Sequence, residues 1–552
     1  MQRRTFLTLT GATVLAGLSG AETTLQDLEG RVGVPHSLAT SSQAMVASIT
    51  NPVAIRAGLD ALKAGGSAAD AAIATSLAQI VLTGGAHVSY AGILAALYYD
   101  AESGQVTALD AGYNTVKKET DAKSIPSAPG GRHVLVPGFL AGVEALHEKF
   151  GKLPRPSLFA PAIQLAEEGF VVGSPMHGYL QHERQVLLRR PAMASVFTTS
   201  DGRLYSRGDH FRQPQLAATL TRLSSQGCQY AYRGEWAHKF VAAVAAAGGR
   251  LSLQDLDEYR VRWEPPGEVK FGQDRVLSLG GVSAGSRYVL RCLELLDLVN
   301  LQALGAYPDC AEALLGLIGI QRVCTVERYL PNYLAEYLKI EPSQLLARMR
   351  QPDWNACMRG MVGVPPQPPH SSGVVAVDAR GNAVALVHTI NTLYWGATGL
   401  MVEGISIPDS AVFQLAEVAK AGPGNRLPNT VCPVMTMRAN RPLHVQATIS
   451  ESLMQIMAQN TYALLTQPLN PQQAANYPKT MGMNPKALQQ ERLLASQFAP
   501  EVLVELERLG QELDRLPETT FAPKGMWVGI QRTAGGLQGG VTPVINGRAE
   551  GY

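Results

Sequence analysis

The stretch "PPQPPHSSGVVAVDARGNAVALVHTINT", residues 365–392, decides the fold. It begins as a loop stiffened by prolines, whose rings fix one backbone dihedral. It continues as two runs, "GVVAVD" and "AVALVHTI", joined by the short turn "ARGN". Each run is apolar on both faces, as is typical of strands that are covered on both sides of a sheet. The sequence therefore predicts a buried strand pair, with Ser371 and Ser372 where the rigid loop meets the first strand.

Outward from this pair, local patterns predict helices and further strands. Residues 51–82 predict two helices, the first ending at Gly65 and Gly66 and the second capped by Ser67. Residues 91–110 predict a β-hairpin. Further helices are predicted from hydrophobic periodicity and further strands from apolar alternation: helices within 136–150, 157–169, 215–260, 309–350 and 500–513, and strands within 431–438, 443–449, 526–533 and 539–545. The sequence thus predicts an α+β fold, with helices early and strands concentrated late.

Composition narrows the class of protein. The 552 residues are 46% hydrophobic and 17% charged, which is typical of a globular protein with a large core. The net charge is +2 and the basic residues are scattered, so no nucleic-acid partner is predicted. Neither the 6 cysteines nor the 11 histidines show the spacing of a metal site. No cofactor and no metal are expected.

The first 21 residues have the order of an export signal. Arg3 and Arg4 precede an apolar run that begins at Phe6, and small residues follow up to Ala21. The arginine pair resembles a twin-arginine signal, and the run is too short for a confident membrane span. We expect an exported, periplasmic or extracellular bacterial protein that is cleaved near Ala21 and has no stable membrane anchor. A non-functional N-terminus is the alternative.

Two interpretations of Ser371 and Ser372 stand side by side. Serine is common where a loop ends, so both can be plain loop residues. The chain has no GxSxG elbow, which excludes the usual α/β-hydrolase serine. The sharper hypothesis is that the chain cuts itself between His370 and Ser371. Ser371 would then carry a free α-amine that acts as base for its own hydroxyl.

A family resemblance supports the sharper hypothesis. Long stretches in one order, among them "AGLDALKAGGSAADAAIATSLA", "VPGFLAGVEALHEKFGKLPRPSLFAPAIQLAEEGF" and "VVAVDARGNAVALVHTINTLYWG", resemble the γ-glutamyltransferase family of N-terminal nucleophile hydrolases. The resemblance implies a four-layer αββα fold, made as one chain and self-cleaved into two subunits that stay together. It also implies three segments: an export signal at 1–21, a large-subunit part at 22–370 and a small-subunit part at 371–552.

The resemblance carries over to particular residues. The family nucleophile lies seven residues before the Asp of a "VVD" strand, which places it at Ser371, where the family typically has threonine. Thr389 matches the threonine that hydrogen-bonds the nucleophile. Asn391 matches an asparagine that contacts the α-amino-acid end of the substrate. Asn429 and Thr430 replace the family's substrate-binding serine pair, and we expect them to bind substrate here.

Other family positions have changed. Gly112 stands where the family has the arginine that binds the substrate carboxylate, and Arg426 is the one nearby candidate to replace it. Asp409 is out of register with the aspartate that binds the substrate ammonium. Ser450 and Glu451 replace the two glycines that form the oxyanion hole. These departures indicate that the pocket for a glutamyl group is lost.

Three functions therefore remain open. The chain is an exported amidohydrolase or acylase that takes a non-glutamyl small-molecule or peptide amide, a true γ-glutamyltransferase with rebuilt contacts, or a non-catalytic relative. Retention of Ser371, Thr389 and Asn391 favours the first function. The altered oxyanion-hole positions favour the third.

Overall fold

The strands of the protein form two large sheets and several small ones. The computed structural model describes residues 37–281, 283–329, 347, 371–450, 452–484, 487–516, 525–542 and 546–552. In chain order the strands are β1 Ala39–Ser41, β2 Met45–Ser48, β3 Ile93–Asp100, β4 Gln105–Ala111, β5 Phe170–Val171, β6 His210–Phe211, β7 Arg262–Glu264, β8 Gly267–Phe271, β9 Asp274–Ser278, β10 Ser372–Val377, β11 Ala383–Thr389, β12 Leu400–Val402, β13 Ile405–Ile407, β14 Val434–Arg438, β15 Arg441–Ile449, β16 Thr480–Asn484, β17 Ala487–Leu493, β18 Glu512–Arg515, β19 Met526–Thr533, β20 Gly536–Val541 and β21 Arg548–Gly551.

Helices occupy much of the remaining described chain. In order they are α1 Pro52–Lys63, α2 Ala68–Leu82, α3 Phe139–Phe150, α4 Arg155–Glu168, α5 Ser174–His182, α6 Arg184–Leu187, α7 Pro191–Phe197, α8 Pro214–Gln226, α9 Gln229–Tyr232, α10 Glu235–Ala246, α11 Leu253–Asp257, α12 Ala284–Leu298, α13 Ala311–Tyr329, α14 Leu415–Ala421, α15 Leu453–Thr466, α16 Pro471–Asn476 and α17 Pro500–Arg508. Short 3-10 turns lie at Ala122–Ser124, Gly131–His133, Leu301–Leu304 and Ala495–Gln497.

Two seven-stranded sheets stack face to face. The first has the order β1-β20-β19-β15-β14-β9-β8, and the second β21-β2-β10-β11-β3-β4-β7. Alternate side chains of both sheets share one apolar core. Helices α1, α2 and α3 pack on the outer face of the second sheet, with α4 behind α2. Helices α12, α15 and α16 pack on the outer face of the first, with α13 behind α12 and α17 against α13. This is the expected four-layer αββα arrangement.

Most of the helices and strands predicted from local sequence patterns are present in the structure. The two helices at 51–82, the hairpin at 91–110 and the strand pair after Ser371 are confirmed. The second helix begins with a capping box, in which the Ser67 hydroxyl accepts from the Asp70 amide and the Asp70 carboxylate accepts from the Ser67 amide. Helix α2 is buried along its whole length, because it lies between the second sheet and other helices.

The concentration of strands late in the chain is wrong. Each large sheet takes strands from before residue 371: β2, β3, β4 and β7 in the second, and β1, β8 and β9 in the first. The predicted helix at 500–513 ends at Arg508, and Glu512–Arg515 is a strand paired in parallel with β17. Of the predicted helix at 309–350, Ala311–Tyr329 is confirmed, and the rest lies outside the described residues apart from 347.

Candidate active site

Ser371 lies at one end of the second sheet, beside Thr389. In the β10–β11 pair, Ser372 stands opposite His388. One residue further in the same register, Ser371 stands opposite Thr389, at the spacing of neighbouring strands, about 5 Å. Both residues are buried. The structure therefore brings the two predicted catalytic residues together, whereas His370 lies outside the described residues.

Ser371 and Thr389 belong to the sheet face that meets the other sheet. Side chains alternate along a strand, so Ser371 shares its face with Gly373 and Val375. Val375 lies in the core between the sheets, and a Cβ on Gly373 would stand 3.0 Å from the Ala447 Cβ of β15. The candidate nucleophile is thus held at the edge of the inter-sheet space, on a stiff strand.

The hydroxyl of Thr389 is oriented by its own loop. The Asn391 amide donates to Thr389 Oγ1 at 2.9 Å. The hydroxyl oxygen is the acceptor in this bond, which therefore does not use the hydroxyl proton. Asn391 has a left-handed φ of 54°, which asparagine tolerates better than most residues. The turn that follows β11 therefore fixes Thr389 and presents the partly exposed Asn391 beside it.

Asp409 holds the same loop and is buried. Its carboxylate accepts from Thr392 Oγ1 at 3.1 Å and from the Ala397 amide at 2.8 Å. Burial raises the pKa of the Asp409 carboxyl above its ordinary value. Only 1% of the residue is exposed, so its bonds serve the loop that carries Asn391.

Gly112 lies in the same row of residues as Ser371, three strands away. Ile93 pairs with Thr389, and the register of β3 with β4 places Gly112 next in line. A Cβ on Gly112 would stand 2.8 Å from Asp110 Oδ1 and 3.3 Å from Arg426 Cδ. The space for a longer side chain at this position is thus already occupied, largely by Arg426.

The Arg426 guanidinium is held by hydrogen bonds to other residues of the protein. It donates to Asn114 Oδ1 at 2.8 Å, to the Asp110 carbonyl at 3.0 Å and to the Arg260 carbonyl at 2.6 Å. It also pairs with the Asp110 carboxylate at 3.2 Å and lies over the Tyr259 ring. Its side chain is 1% exposed, so the charge is neutralised inside the protein. Arg426 therefore has a structural role that the sequence alone left open.

Asn429 and Thr430 lie beside the start of α12. The Asn429 carbonyl accepts from the Ala284 amide at 3.0 Å. Asn429 Oδ1 and Asp110 Oδ2 are buried without a partner among the described residues, and both side chains line a small cavity with Glu264 and Ser283. That cavity is water-sized and rich in acceptors, so it suits a bound water better than an acyl group.

Ser450 retains a backbone conformation that glycine favours. Its φ is 103°, in a region where a side chain is strained. Its hydroxyl is buried without a partner among the described residues. It directly follows β15, the strand that packs on β10. Glu451, the second residue that replaces a family glycine, lies outside the described residues.

A buried polar cluster behind Ser371 was missed by sequence reasoning. Gln79 of α2, together with Ser48, Thr50, Ser372 and His388, lies on the opposite face of the second sheet. The one signal in the sequence was a glutamine in the apolar second half of this helix. Among all the described residues, there is no group of three or more His, Cys, Asp or Glu side chains that could bind a metal ion. None of the described helices has the length and apolarity that a membrane span needs.

Comparison with known proteins finds relatives over most of the chain. The family model described as "Gamma-glutamyltranspeptidase" matches residues 54–552. A glutathione hydrolase proenzyme of Pseudomonas sp. (strain A14) is 27% identical over 434 residues, covering 72% of this chain and 74% of the relative. An acylase ACY 1 proenzyme of Pseudomonas sp. (strain V22) is 27% identical over 442 residues, covering 73% and 76%. The solved cephalosporin acylase of Bacillus halodurans shares the fold, with a TM-score of 0.78 and 23% identity over 94% of this chain and 97% of that one.

Proposed function

Because this chain belongs to the gamma-glutamyltranspeptidase family of N-terminal nucleophile amidohydrolases and acyltransferases, we propose that it cuts itself before Ser371 and then uses Ser371 as its nucleophile. The observation that carries the proposal is the register of the β10–β11 pair, which places Ser371 opposite Thr389 at the end of the strands, on the face that meets the first sheet. The names of two relatives as proenzymes are consistent with processing.

Self-cleavage requires the hydroxyl before the amine exists. Ser371 Oγ attacks the carbonyl carbon of His370, forming an ester bond while the peptide C–N bond breaks. The proton lost by the hydroxyl goes to the departing nitrogen. Water then hydrolyses the ester, which leaves a carboxylate on His370 and a free α-amine on Ser371. The products are residues 22–370 and 371–552, which remain associated because strands from both parts share each sheet.

Substrate turnover repeats this chemistry on an external amide. The Ser371 amine, with an ordinary pKa of about 8, takes the hydroxyl proton and passes it to the leaving amine. Ser371 Oγ keeps the acyl group as an ester until water, or a second amine, accepts it. Thr389 donates to the nucleophile and orients it, and Asn391 contacts the bound acyl group. The strained turn at Ser450 supports a place for the oxyanion-stabilising amides at the end of β15.

The acyl group is one without an α-amino-acid head. A free carboxylate in the pocket needs an opposite charge, and an unpaired one costs on the order of several kcal/mol. Gly112 offers no charge, and the Arg426 guanidinium is already paired with Asp110. Asp409 is buried and bonded within its loop, so it offers little to a substrate ammonium.

A comparison of two anilides tests the proposal. We expect the processed protein to hydrolyse pentanoyl 4-nitroanilide at least about a hundredfold faster than γ-glutamyl 4-nitroanilide, since losing one charge contact alone is worth that much. Ser371→Ala should abolish both activities, and Ser371→Thr should retain them. Efficient turnover of the glutamyl substrate would instead favour a true γ-glutamyltransferase. Gly112→Arg is a poor rescue, because its side chain would collide with Arg426.

Export completes the proposal. Arg3 and Arg4, the apolar run and the small residues up to Ala21 support a leader that directs the chain to the periplasm or medium. Cell fractionation should find the protein outside the cytoplasm, starting near residue 22. Replacing Arg3 and Arg4 with lysine should retain it inside. Full-length protein in the cytoplasm of wild-type cells would contradict this part.

A further inference from the structure

A fully buried polar cluster lies directly behind the candidate nucleophile. We call Ser48, Thr50, Gln79, Ser372 and His388 the Gln79 cluster. Each residue is at most 2% exposed. Gln79 Nε2 donates to Ser48 Oγ at 2.5 Å and to Thr50 Oγ1 at 3.2 Å. Its carbonyl oxygen, Gln79 Oε1, is 2.9 Å from His388 Nε2, and Thr50 Oγ1 is 2.9 Å from Ser372 Oγ.

The cluster has one consistent arrangement of protons. Because the Gln79 amide nitrogen donates to hydroxyls, its oxygen must accept from His388, so His388 carries its proton on Nε2. Burial, with a smaller contribution from His87, lowers the pKa of His388 to about 3 and keeps the ring neutral. The imidazole is thus a neutral hydrogen-bond donor in a fixed position, and it carries no charge that could take part in catalysis.

Three strands are tied to one helix by these bonds. Ser48 is the last residue of β2 and Thr50 lies two residues beyond it, Ser372 begins β10, and His388 is the penultimate residue of β11. Ser48 Oγ also donates to the carbonyl of Gly373 at 2.9 Å. Gln79 of α2 is therefore linked through Thr50 to Ser372 and through Ser48 to the Gly373 carbonyl. These are the two residues that follow Ser371.

Two residues of the Gln79 cluster, Ser372 and His388, are the immediate neighbours of the candidate catalytic pair. Ser372 and His388 stand opposite each other, and the next pair in the register is Ser371 and Thr389. Because side chains alternate across a strand, Ser372 and His388 point to α2 while Ser371 and Thr389 point between the sheets. The cluster thus anchors the strand ends from behind and leaves the other face open for chemistry.

We propose that the Gln79 cluster is a positioning device for Ser371, which rests on the proposed role of Ser371 as nucleophile. Self-cleavage turns Ser371 into a chain end, and chain ends fray unless they are tied down. The bonds to Ser372 and to the Gly373 carbonyl supply that tie. They hold Ser371 at a fixed distance from Thr389 before and after cleavage. No residue of the cluster contacts substrate.

Thr50 allows the sharpest test, because Thr50→Val keeps the shape and removes the link between Gln79 and Ser372. Thr75→Val is the matched control. Thr75 lies one turn earlier on α2, is fully buried, and donates to the Ala71 carbonyl at 2.8 Å. Thr75→Val therefore also removes buried hydrogen bonding, one bond against the two that Thr50→Val removes. Thr50→Ser restores the hydroxyl. Each variant is made as the full chain, and its melting temperature is recorded.

Two rates are measured: the appearance of the 371–552 fragment during cell-free synthesis, and turnover of pentanoyl 4-nitroanilide by processed protein. Thr50→Val should slow processing and lower kcat about tenfold or more with little change in KM, since it loosens only the nucleophile. Thr50→Ser should restore both rates. Thr75→Val should keep both rates near wild type despite a similar loss of melting temperature.

The outcomes separate this proposal from the proposed function. If wild-type protein stays uncut, the role of Ser371 fails and the positioning role fails with it. If wild type is cut but Thr50→Val and Thr75→Val behave alike, only the positioning role is overturned. Should Thr50→Val fail to fold, Ser372→Ala, which removes the last link alone, is judged by the same criteria. Should the anilide not be turned over, the processing rates decide.

Discussion

At the level of single residues, the sequence could name the candidate catalytic pair but not its surroundings. Family resemblance named Ser371 and Thr389, and the structure places them at the same end of one antiparallel strand pair. The contact of Arg426 with Asp110 and Gly112 joins strand β4 to a loop more than 300 residues later. No local pattern encodes such a contact, so the sequence could name Arg426 as a candidate and could not assign its role.

Removing the Thr389 hydroxyl tests the orientation of the nucleophile. Thr389→Ala deletes the acceptor of the Asn391 amide and the donor proposed for Ser371. We expect a loss of about a hundredfold in kcat and slower processing, because a group that positions a nucleophile contributes on this scale. Thr389→Ser keeps the hydroxyl and should recover most of the rate. Equal kcat in the alanine variant would remove Thr389 from the site.

The role assigned to Arg426 predicts a loss of stability and no change of acyl preference. Arg426→Met leaves the Asp110 charge buried and unpaired, which costs about 3–5 kcal/mol. Arg275→Met is a matched control, since Arg275 pairs with Glu268 and the two side chains are 42% and 35% exposed. That exposed pair should contribute about 1 kcal/mol or less. Thermal melting compares the two variants. If Arg426→Met melts like the control and selectively loses glutamyl turnover, Arg426 is a substrate residue.

At the level of helices and strands, success depended on how much of the signal was local. Helices α1 and α2 carry their own cap, glycine stop and apolar faces, so their predicted bounds were close. Strands β7, β8 and β9 have three to five residues each, with exposed positions in β7 and β8. β8 and β9 pair with each other across a short turn, but β7 and β9 join their sheets through partners that are distant in sequence. Short, partly exposed strands are defined by the sheet they join, which is why they were missed.

The turn after β15 yields a prediction for its strained residue. Ser450→Gly should relieve a positive φ and remove a buried hydroxyl without a partner in the described structure. Each effect stabilises by about 1–3 kcal/mol, so we expect a higher melting temperature with activity retained. Asn440→Gly, at the other end of β15, is the control, because asparagine already tolerates its φ of 61°. A lower melting temperature for Ser450→Gly would show that the hydroxyl has a partner of its own.

At the level of the whole molecule, buried neutral histidines predict sensitivity to acid. Burial lowers the pKa of His87 to about 4, of His388 to about 3 and of His444 to about 4. Below pH 6.5 the unfolded chain binds protons that the folded chain does not, so the free energy of unfolding falls as pH falls toward 4. Each such histidine contributes about 1.4 kcal/mol per pH unit in this window.

Melting temperatures at pH 7 and pH 5 measure this dependence. His444→Leu should weaken it, because neither ring nitrogen of His444 has a partner among the described residues. His182→Gln should leave it unchanged, since His182 is exposed. A melting temperature that is constant from pH 7 to pH 5 would contradict the neutral, buried state of these rings.

The layered architecture was predicted through family resemblance, whereas the residues alone predicted an α+β fold without an order of strands. The residues specify which segments are apolar and with what period. They do not specify that β10, near residue 372, inserts between β2 and β11, because that neighbourhood is set by packing across the whole sheet. The consequence is functional, since each sheet joins segments from both sides of the proposed cleavage point.

Self-cleavage before Ser371 is the central claim, and the intact mass of the purified protein tests it most directly. We predict two species in equal amounts, one ending at His370 and one spanning residues 371–552, with sequencing of the smaller species beginning at Ser-Ser-Gly. Ser371→Ala should give one uncut chain, and Ser371→Thr should still be cut. A single full-length mass for freshly purified and for aged wild-type protein would contradict the claim. A smaller species that begins at Ser372 would move the nucleophile by one residue and onto the wrong face of the strand.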